Sequence, residues 1–300
     1  MDTASVIICT YNKPSYLLAS LASFNQINYD RSKFEVIVCD DGSIIGLTKN
    51  QLESFKFNLR YYRLPHKGRS HARNYGLQKA KGDIIVFSDD DTLVPKEFLS
   101  KHVMHHQSEK SIMVIGNRKQ VYLDDKKIND IYDSGYVPIC QISAKDDIYS
   151  LCSKTLIFRN SLFSPHWICT TTANMSVSKS WIDKYGAFDE DFCGWGFEDV
   201  ELGYRYSKHG LIFMYDSGLE SYHMEHARNR AELISEMCGN IYHFYNKYNK
   251  AEDIRLYWDF FRGAITLEEF DKKTFNVLEQ QTGNTIFPLF IRSRLPALEK

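Results

Sequence analysis

Three consecutive aspartates, Asp89, Asp90 and Asp91, follow a short apolar run at residues 84–87. In extended backbone Asp89 and Asp91 project to the same side, so one carboxylate can bind a hard divalent cation while the other orients a ligand. Magnesium and manganese keep coordination positions open for substrate phosphates. The motif therefore indicates a metal site for a nucleotide diphosphate. The alternative is a solvated turn in which Asp91 or the next residue caps a helix that begins near Pro95.

A second acidic motif, Asp40 and Asp41 followed by Gly-Ser, ends another apolar run at residues 34–39. Taken alone, Asp-Gly is a common turn dipeptide. Arg69 and Arg73 lie between the two acidic motifs in the sequence. The acidic motif offers a carboxylate that can recognise a nucleotide base, and the two arginines offer guanidinium donors for phosphate. The alternative for the two arginines is a solvated helix face.

Two histidines, His223 and His226, lie just past an apolar run at residues 211–215, which predicts a short strand. A neutral imidazole from either histidine can complete the coordination shell of the metal. The pair has no cysteine partners and no third histidine nearby in the sequence, so it does not match a zinc site of standard type. A surface pair of histidines is the alternative.

Glu198 and Asp199 are adjacent acidic residues at the predicted start of a helix, and they follow a segment rich in glycine and aromatic residues at 192–197. Acidic side chains complement the helix dipole at this position, which is enough to explain them. In the catalytic interpretation, one of the two carboxylates acts as a general base toward an acceptor hydroxyl.

Apolar runs and helical patterns alternate along the first third of the chain. Residues 5–9, 34–39 and 84–87 predict strands, whereas the apolar spacing at 16–24 and 70–80 predicts helices. Strands that are apolar on both faces indicate an α/β fold whose parallel sheet is covered by helices on both sides. Ligands of such sheets bind outside the carboxyl ends of the strands, so we expect the acidic motifs to converge there.

The second half of the chain continues with both kinds of element. Residues 112–121 resemble a strand in a middle region of polar loops, and apolar alternation at 171–177 predicts another. Helices are predicted at 180–185 and 198–209. From Glu232 onward the pattern is helical and rich in aromatic residues, which form either the core of a packed subdomain or a surface for a partner.

Composition excludes several classes of protein. The 300 residues carry a net charge of -1, which argues against the basic surface expected for binding to nucleic acid or anionic membranes. No apolar run approaches the ~20 residues of a membrane span. The start at Met1-Asp2 is unlike a signal peptide, so a cytoplasmic protein is expected, at most peripheral to the inner face of the membrane. Seven scattered cysteines without CxxC spacing predict buried free thiols.

Taken in order, these motifs resemble those of the inverting nucleotide-sugar glycosyltransferases of family 2, which have a GT-A fold. The resemblance extends from about Ser5 to Arg230 and includes a DxD metal motif at 89–91. Its last part is similar to the catalytic segment shared with galactosyltransferases and chondroitin-type polymerases. The matching segments are 6–12, 38–43, 72–76, 89–91, 188–190 and 194–201, together with Asn174.

The resemblance implies a role for each matching residue. Asp199 would be the catalytic base, and Glu198 would contact the acceptor or the sugar. Asp91 would bind the metal, Mn²⁺ or Mg²⁺, and His223 or His226 would be a further ligand. The residues expected to bind the nucleotide sugar, most often one with a uridine base, are Thr10, Tyr11, Asn12, Asp40, Arg73, Asp89, Asp90 and Trp195, together with Arg69, which lies outside the matching segments and is a candidate as a guanidinium donor.

The resemblance further implies metal-dependent, inverting transfer of a hexose or N-acetylhexosamine from a UDP-sugar to a hydroxyl of a glycan, a peptide or a small aglycone. Residues 1–230 would form the GT-A domain, with a nucleotide-sugar-binding half at 1–110 and an acceptor half at 111–230. Residues 231–300 would form a helical extension. Phe197 replaces a small residue of related motifs, which predicts a narrower sugar pocket.

Two other functions are weighed against this one. A nucleotidyltransferase would also use acidic strand ends and a metal, but the segment after the first strand lacks the glycine- and lysine-rich phosphate loop of that class. The second alternative is a non-catalytic nucleotide- or carbohydrate-binding protein on a transferase fold. Retention of every acidic motif argues against it.

Overall fold

Four parallel strands form one half of the sheet in the computed structural model, which describes residues 2–135, 137, 142–146, 166–227, 229–266 and 269–270. In spatial order they are β3 (Asn58–Arg63), β2 (Phe34–Asp40), β1 (Ala4–Thr10) and β4 (Ile84–Asp89). All seven residues of β2 are buried, as its mostly apolar run predicts, and they include Glu35 and Asp40. Thr10 pairs with Asp40, and Cys9 pairs with Asp89, so the polar strand ends meet at one edge of the sheet.

The other half of the sheet is mixed in direction. It contains β5 (Thr92–Leu93), β6 (Ile112–Val121), β7 (Ala144–Asp146), β8 (Asn174–Ser178) and β9 (Ile212–Met224). Strand β8 is antiparallel to both β4 and β6, while β9 runs parallel to β6. The short β5 follows the three aspartates directly and pairs with β9 through Thr92 and His223. This pairing brings the predicted histidine ligands to the acidic motif.

Helices cover both faces of the sheet. They are α1 (Pro14–Phe24), α2 (Lys49–Glu53), α3 (Arg69–Lys79), α4 (Phe98–Ser108), α5 (Asp125–Ser134), α6 (Lys179–Tyr185), α7 (Glu198–Ser207), α8 (Arg230–Lys247) and α9 (Glu252–Phe261), with a 3₁₀ turn at His166–Cys169. Val6 and Ile8 of β1 pack in one core cluster with Leu21 of α1, whereas Ile7 faces the cluster on the α3 and α7 side. The α/β prediction is confirmed. No helix in the described part of the chain is both long and apolar enough to cross a bilayer.

The two helices α8 and α9 share a core with the sheet. Phe244 of α8 and Trp258 of α9 are completely buried, in the same cluster as Ile7 and Phe87. Of the described aromatic residues in this region, Tyr242 is exposed. Most of the aromatic residues singled out from the sequence therefore serve as core, and they stabilise the contact between the helices and the sheet.

Two predicted elements differ from the structure. Strand β9 continues to Met224 instead of ending at Tyr215, because residues 217–219 bulge out of the ladder and pairing with β6 then resumes. Consequently His223 lies inside a strand and not after one. Helix α4 begins at Phe98, and neither Asp91 nor its neighbour caps it, because the residues after Asp91 form β5.

The cysteines in the described part of the chain are free. Cys39 and Cys169 are buried as predicted, and Cys9 and Cys238 are partly buried. Cys193 is exposed, so the prediction of burial is wrong there. Cys140 and Cys152 lie outside the described residues.

Candidate functional site

A cavity of about 740 Å³ opens at the carboxyl ends of the parallel strands. Its volume lies in the range of small-molecule sites. One wall combines the end of β4 with the start of α3. The opposite wall contains residues 193–197, here called the Trp195 loop, and the first turns of α7 and α8. The predicted site residues that line the cavity are Tyr11, Arg69, Arg73, Asp89, Asp90, Asp91, Trp195, Glu198, Asp199 and His226.

Four predicted site residues do not line the cavity, namely Thr10, Asn12, Asp40 and His223. Thr10 is buried, and its hydroxyl donates a hydrogen bond of 2.7 Å to Asp90 Oδ2. It therefore positions a carboxylate of the cavity and does not itself face a ligand. His223 is 1% exposed and contacts Asp91.

Asp40 and Asn12 are engaged in local backbone structure. Asp40 accepts a hydrogen bond from the Ser43 backbone N–H at 2.8 Å and another from the Tyr61 hydroxyl. The side-chain oxygen of Asn12 accepts from the backbone N–H of the residue after Ser43. Asp41, the second acid of the motif, lines the cavity instead. The resemblance implies Asp40 as the nucleotide-binding residue, whereas the structure brings its neighbour Asp41 to the cavity.

Asp91, His223 and His226 form a compact cluster in which one ligand atom from each residue lies within 4.8 Å of the others. His223 Nδ1 is 2.8 Å from Asp91 Oδ1, and His226 Nε2 is 3.0 Å from Asp91 Oδ2. Burial raises the pKa of Asp91, but the nearby His223 and Lys13 outweigh it and hold this pKa well below its usual range. The ionised carboxylate and the imidazoles provide a mixed oxygen and nitrogen donor set that fits a divalent cation.

The two histidines of this cluster differ in orientation and access. His226 Nδ1 is 3.1 Å from the Ala227 carbonyl, and its Nε2 atom is 3.0 Å from Asp91 Oδ2. His226 also lines the cavity. His223 is buried beneath it, with Nε2 3.6 Å from a Glu225 carboxylate oxygen. The geometry therefore favours His226 as the ligand that a cation in the cavity would meet.

Lys13 is a cavity residue that the sequence analysis does not single out. Its ammonium nitrogen lies 2.7 Å from Asp91 Oδ2 and 3.4 Å from Asp90 Oδ1. Burial raises the pKa of Asp90 to about 6, while the charge of Lys13 opposes this shift. The only signal in the sequence is the position of Lys13 in the loop after β1, since that loop lies at the same sheet edge as the aspartates.

Tyr11 and His66 form a stacked pair at the entrance of the cavity. Their ring centroids are 4.3 Å apart and their planes differ by 14°. Tyr11 is 44% exposed, so its ring presents a flat surface to the cavity. His66 Nδ1 is 2.9 Å from Asp41, whose carboxylate also accepts the Lys67 and Gly68 backbone N–H groups. These contacts fix the start of α3 beside an aromatic platform.

Arg73 forms a buried ion pair with Glu198 across the cavity. Its Nη1 atom donates a 2.7 Å hydrogen bond to Glu198 Oε1, and its Nη2 atom lies 3.9 Å from Asp89 Oδ1. The side chain of Arg73 is 5% exposed, so the alternative of a solvated helix face is wrong for it. Burial raises the pKa of Glu198, but the charges of Arg69 and Arg73 outweigh burial and lower it. Glu198 is therefore ionised at neutral pH.

Asp199 has the opposite electrostatic environment. Burial raises its pKa to about 7, the charge of Glu198 adds to this shift, and Arg73 opposes it. Its two oxygens accept backbone N–H groups, from Thr172 at 3.2 Å and from Val200 at 2.9 Å. A fixed carboxyl group with a pKa near 7 has the property required of a general base at neutral pH.

The Trp195 loop enters α7 through left-handed backbone. Gly194 and Gly196 have φ values of 72° and 103°, which glycine adopts readily, and Phe197 has a φ of 72°. Phe197 is 4% exposed, with its ring 6.0 Å from that of Tyr257 and 5.5 Å from that of Phe261. The side chain therefore lines the floor of the cavity while anchoring the loop to α9.

Helices α8 and α9 supply cavity residues that the sequence analysis does not predict. Glu232, Leu233, Glu236 and Met237 form two i,i+4 pairs on one face of α8, and Tyr257 and Phe261 form another on α9. The i,i+4 spacing is the signal that could have marked them. Other residues of the lining are Cys9, Arg118 and residues 170–173.

Asn174, which the resemblance places in the catalytic segment, is fully buried. Its amide nitrogen donates to the Leu219 carbonyl at 2.9 Å, and its oxygen lies 3.1 Å from His102 Nε2. Asn174 therefore connects β8 with β9 and α4 and does not line the cavity.

The fold and the cavity together define an enzyme of the GT-A class, with a parallel sheet, acidic strand ends and a facing acidic helix start. Among solved structures, GalNAc-T7 with UDP, GalNAc and Mn²⁺ aligns with a TM-score of 0.63 at 16% identity, covering 91% of this chain and 54% of that one. The GT-A fold predicted from the resemblance is confirmed.

The chain belongs to glycosyl transferase family 2, whose profile matches residues 5–167. It is 31% identical to the uncharacterized glycosyltransferase YfnE of Bacillus subtilis over 290 residues, which are 86% of this chain and 73% of that protein. It is 32% identical to the hyaluronan synthase of Pasteurella multocida over 258 residues, 79% of this chain but 26% of the synthase. The protein is thus a glycosyltransferase that spans about a quarter of the length of the synthase.

Proposed function

We propose that this glycosyltransferase moves a sugar from a UDP-sugar to an acceptor hydroxyl, with the aid of a divalent metal and with inversion at the anomeric carbon. The observation that carries the proposal is that one cavity is lined both by Asp199, whose pKa is about 7, and by Asp91 and His226 of the acid–histidine cluster. One wall thus holds a general base, and the other holds a site for a metal and a diphosphate.

The proposed donor site uses the platform at the cavity entrance and the cationic side chains beside it. The exposed ring of Tyr11 offers a stacking surface for a nucleotide base. Arg69 and Arg73 line the cavity next to Asp89, where guanidinium groups can donate to phosphate oxygens. The GalNAc-T7 structure, which contains UDP and Mn²⁺, supports this choice of nucleotide and cation.

The proposed metal ligands are Asp91 and His226. The carboxylate of Asp89 is proposed to face the ribose of the nucleotide and the metal. The donor atoms of Asp91, His223 and His226 lie close enough together for one ion, so the residues present fit a divalent cation. When bound, Mn²⁺ or Mg²⁺ neutralises charge on the diphosphate. His223 holds the second oxygen of Asp91 from beneath and thereby orients the carboxylate.

In the proposed reaction Asp199 removes the proton from an acceptor hydroxyl as its oxygen attacks the anomeric carbon. A new bond forms between the acceptor oxygen and this carbon while the bond from the carbon to the diphosphate breaks, and the electron pair leaves with the diphosphate. Arg73 donates to the developing charge from the nucleotide side. Attack opposite to the leaving group inverts the anomeric configuration.

We also propose residues 1–230 as the transferase unit and 231–300 as a helical extension. Helix α8 begins at Arg230, at this boundary, and its first turns form part of the cavity wall. This position supports a role for the extension in contacting the acceptor, for which a glycan, a peptide or a small aglycone is proposed.

The experiment that tests the proposed function measures UDP release from a panel of UDP-sugars and acceptors, with and without Mn²⁺. Asp199→Asn removes the base, which is expected to lower kcat by ~10²–10⁴-fold while UDP binding persists. Asp183→Asn is a matched control, because this aspartate is exposed on α6. Nuclear magnetic resonance of the product shows whether the anomeric configuration is inverted. Normal turnover by Asp199→Asn would refute the assignment of the base.

A further inference from the structure

The Trp195 loop has a backbone conformation that needs support from its surroundings. Gly194, Gly196 and Phe197 all have positive φ values, and for Phe197 this region is strained. The loop carries Trp195 into the cavity and leads directly into Glu198 and Asp199 at the start of α7. Any movement of the loop is therefore transmitted to the proposed base.

Asn240 of α8 forms hydrogen bonds with backbone groups of three of the five loop residues. Its oxygen accepts from the Cys193 N–H at 3.1 Å. Its amide nitrogen lies 2.9 Å from the Cys193 carbonyl, 3.3 Å from that of Trp195 and 2.9 Å from that of Gly196. Asn240 is 4% exposed, so water does not replace these contacts. A side-chain amide has one acceptor and two donors, and here all of them serve the loop.

Glu236 adds a second contact from the same face of α8, one turn earlier. Its Oε2 atom accepts the Trp195 backbone N–H at 2.8 Å. A Cβ atom at Gly194 would lie 2.3 Å from the carboxyl carbon of Glu236, so the absence of a side chain at this position permits the close approach. Met237 lies against Gly196, 3.3 Å from where a Cβ would be.

We propose that Asn240 and Glu236 are positioning residues, which hold the Trp195 loop so that Trp195 and Asp199 face the acceptor correctly. The inference rests on the proposed function. It extends that function because acceptor use would then depend on two residues of the helical extension, which lies outside residues 5–167 that match the family profile. Both residues contact the loop from α8; Asn240 does not line the cavity, and Glu236 lines it beside the loop, where it accepts the Trp195 N–H.

The test replaces Asn240 by Asp, which keeps the size of the side chain and one acceptor oxygen. The Asn240 NH₂ group, which faces three carbonyl oxygens, is replaced by a second oxygen that cannot donate to them. Asn246→Asp makes the same chemical change at an exposed position of α8 and is the control. We expect Asn240→Asp to lower kcat for transfer by ~10²-fold, the effect of a misplacement of about 1 Å, and to raise the acceptor KM. The Kd for UDP with Mn²⁺ is expected to equal that of the control.

A second pair of variants decides the matter if Asn240→Asp fails to fold, which loss of UDP binding would reveal. Glu236→Ala removes the contact to Trp195 from a partly exposed position. Glu53→Ala makes the same chemical change on the exposed surface of α2 and is its control. We expect the first to lower kcat and raise the acceptor KM relative to the second, at equal affinity for UDP. Equal transfer kinetics within each folded pair would overturn the inference.

Hydrogen exchange separates failure of this inference from failure of the proposed function. The Cys193 and Trp195 N–H groups donate to Asn240 and Glu236, so both are expected to exchange slowly in the native protein and faster in the variants. Peptides that span residues 191–199 report this by mass spectrometry, without any substrate. If the native enzyme transfers no sugar, the proposed function fails, but the exchange rates still test the positioning role. Unchanged exchange of residues 191–199 in the variants would overturn the positioning role.

Discussion

Replacing Glu198 by Gln is expected to shift the pH dependence of the reaction toward acid. In the native protein the pKa of Asp199 is about 7, because burial raises it first and the charge of Glu198 raises it further, against the opposing charge of Arg73. The substitution removes the like charge but keeps an oxygen that can accept from Arg73. It also leaves the Arg73 guanidinium without its 2.7 Å carboxylate partner, so its charge acts more strongly on Asp199.

The size of the shift follows from these charges. With a pKa of about 7, roughly a tenth of Asp199 is ionised at pH 6 and roughly nine tenths at pH 8. A charge close to a carboxyl group shifts its pKa by ~1–3 units, and the substitution removes the like charge of Glu198, so we expect the variant to titrate at least ~1 unit lower. The ratio of kcat/KM at pH 6 to that at pH 8 then rises from about one tenth to about one half.

The assay measures kcat/KM for transfer between pH 5 and pH 9 at constant ionic strength. Each profile is normalised to its own maximum, so any loss of rate from a missing Glu198 contact with the sugar does not affect the midpoint. Glu53→Gln, on the exposed surface of α2, is the control and is expected to keep the native profile. An acid limb that stays in place or moves upward in Glu198→Gln would refute the assignment of Asp199 as the titrating base.

Further predictions concern the metal, the extension and the acid stability. His226→Ala is expected to reduce the affinity for UDP in Mn²⁺ to the value measured without metal, and calorimetric titration checks this. Trp258→Ala, at a fully buried site, is expected to cost ~3–5 kcal/mol and to lower Tm by at least ~6 °C in differential scanning calorimetry, whereas an unchanged Tm would show that the extension does not share the core. Burial lowers the pKa of His102 to about 3 and that of His106 to about 4, from 6.5. The unfolded chain therefore binds protons first, and the free energy of unfolding falls by roughly 1 kcal/mol per pH unit for each histidine between pH 6 and pH 4. Denaturant titrations at several pH values are expected to show that the free energy of unfolding of His106→Gln depends less steeply on pH between pH 6 and pH 4. An equal pH dependence would contradict the burial argument.

The first half of the fold follows from local patterns. The mostly apolar runs of β1, β2 and β4 identify parallel strands, and the rule that ligands bind at the carboxyl ends of such strands explains the acidic residues there. The full length of β9 could not be predicted, because the bulge at 217–219 interrupts the alternation on which strand prediction depends. For this reason the sequence predicts His223 after a strand and not within it.

The site could be predicted by residue type but not by contact. Asp91 and His226 are 135 residues apart, and the pairing of β5 with β9 that joins them has no signal in a two-residue strand. The choice between Asp40 and Asp41 depends on which carboxylate the local turn occupies. Asn240 binds backbone groups, which are the same at every residue, so no sequence pattern identifies its partners.

Titration of the protein with UDP, in the presence and absence of Mn²⁺, tests the proposed donor site most directly. The native protein is expected to bind UDP much more tightly with Mn²⁺ and more tightly than GDP, CDP or ADP, and saturation at ~100 times Kd adds ~2.7 kcal/mol of stability. Asp91→Asn is expected to abolish the effect of Mn²⁺, because it removes the charge of the proposed metal ligand. Binding of UDP that is equal with and without Mn²⁺, or no binding of any nucleoside diphosphate, would contradict the proposed mechanism.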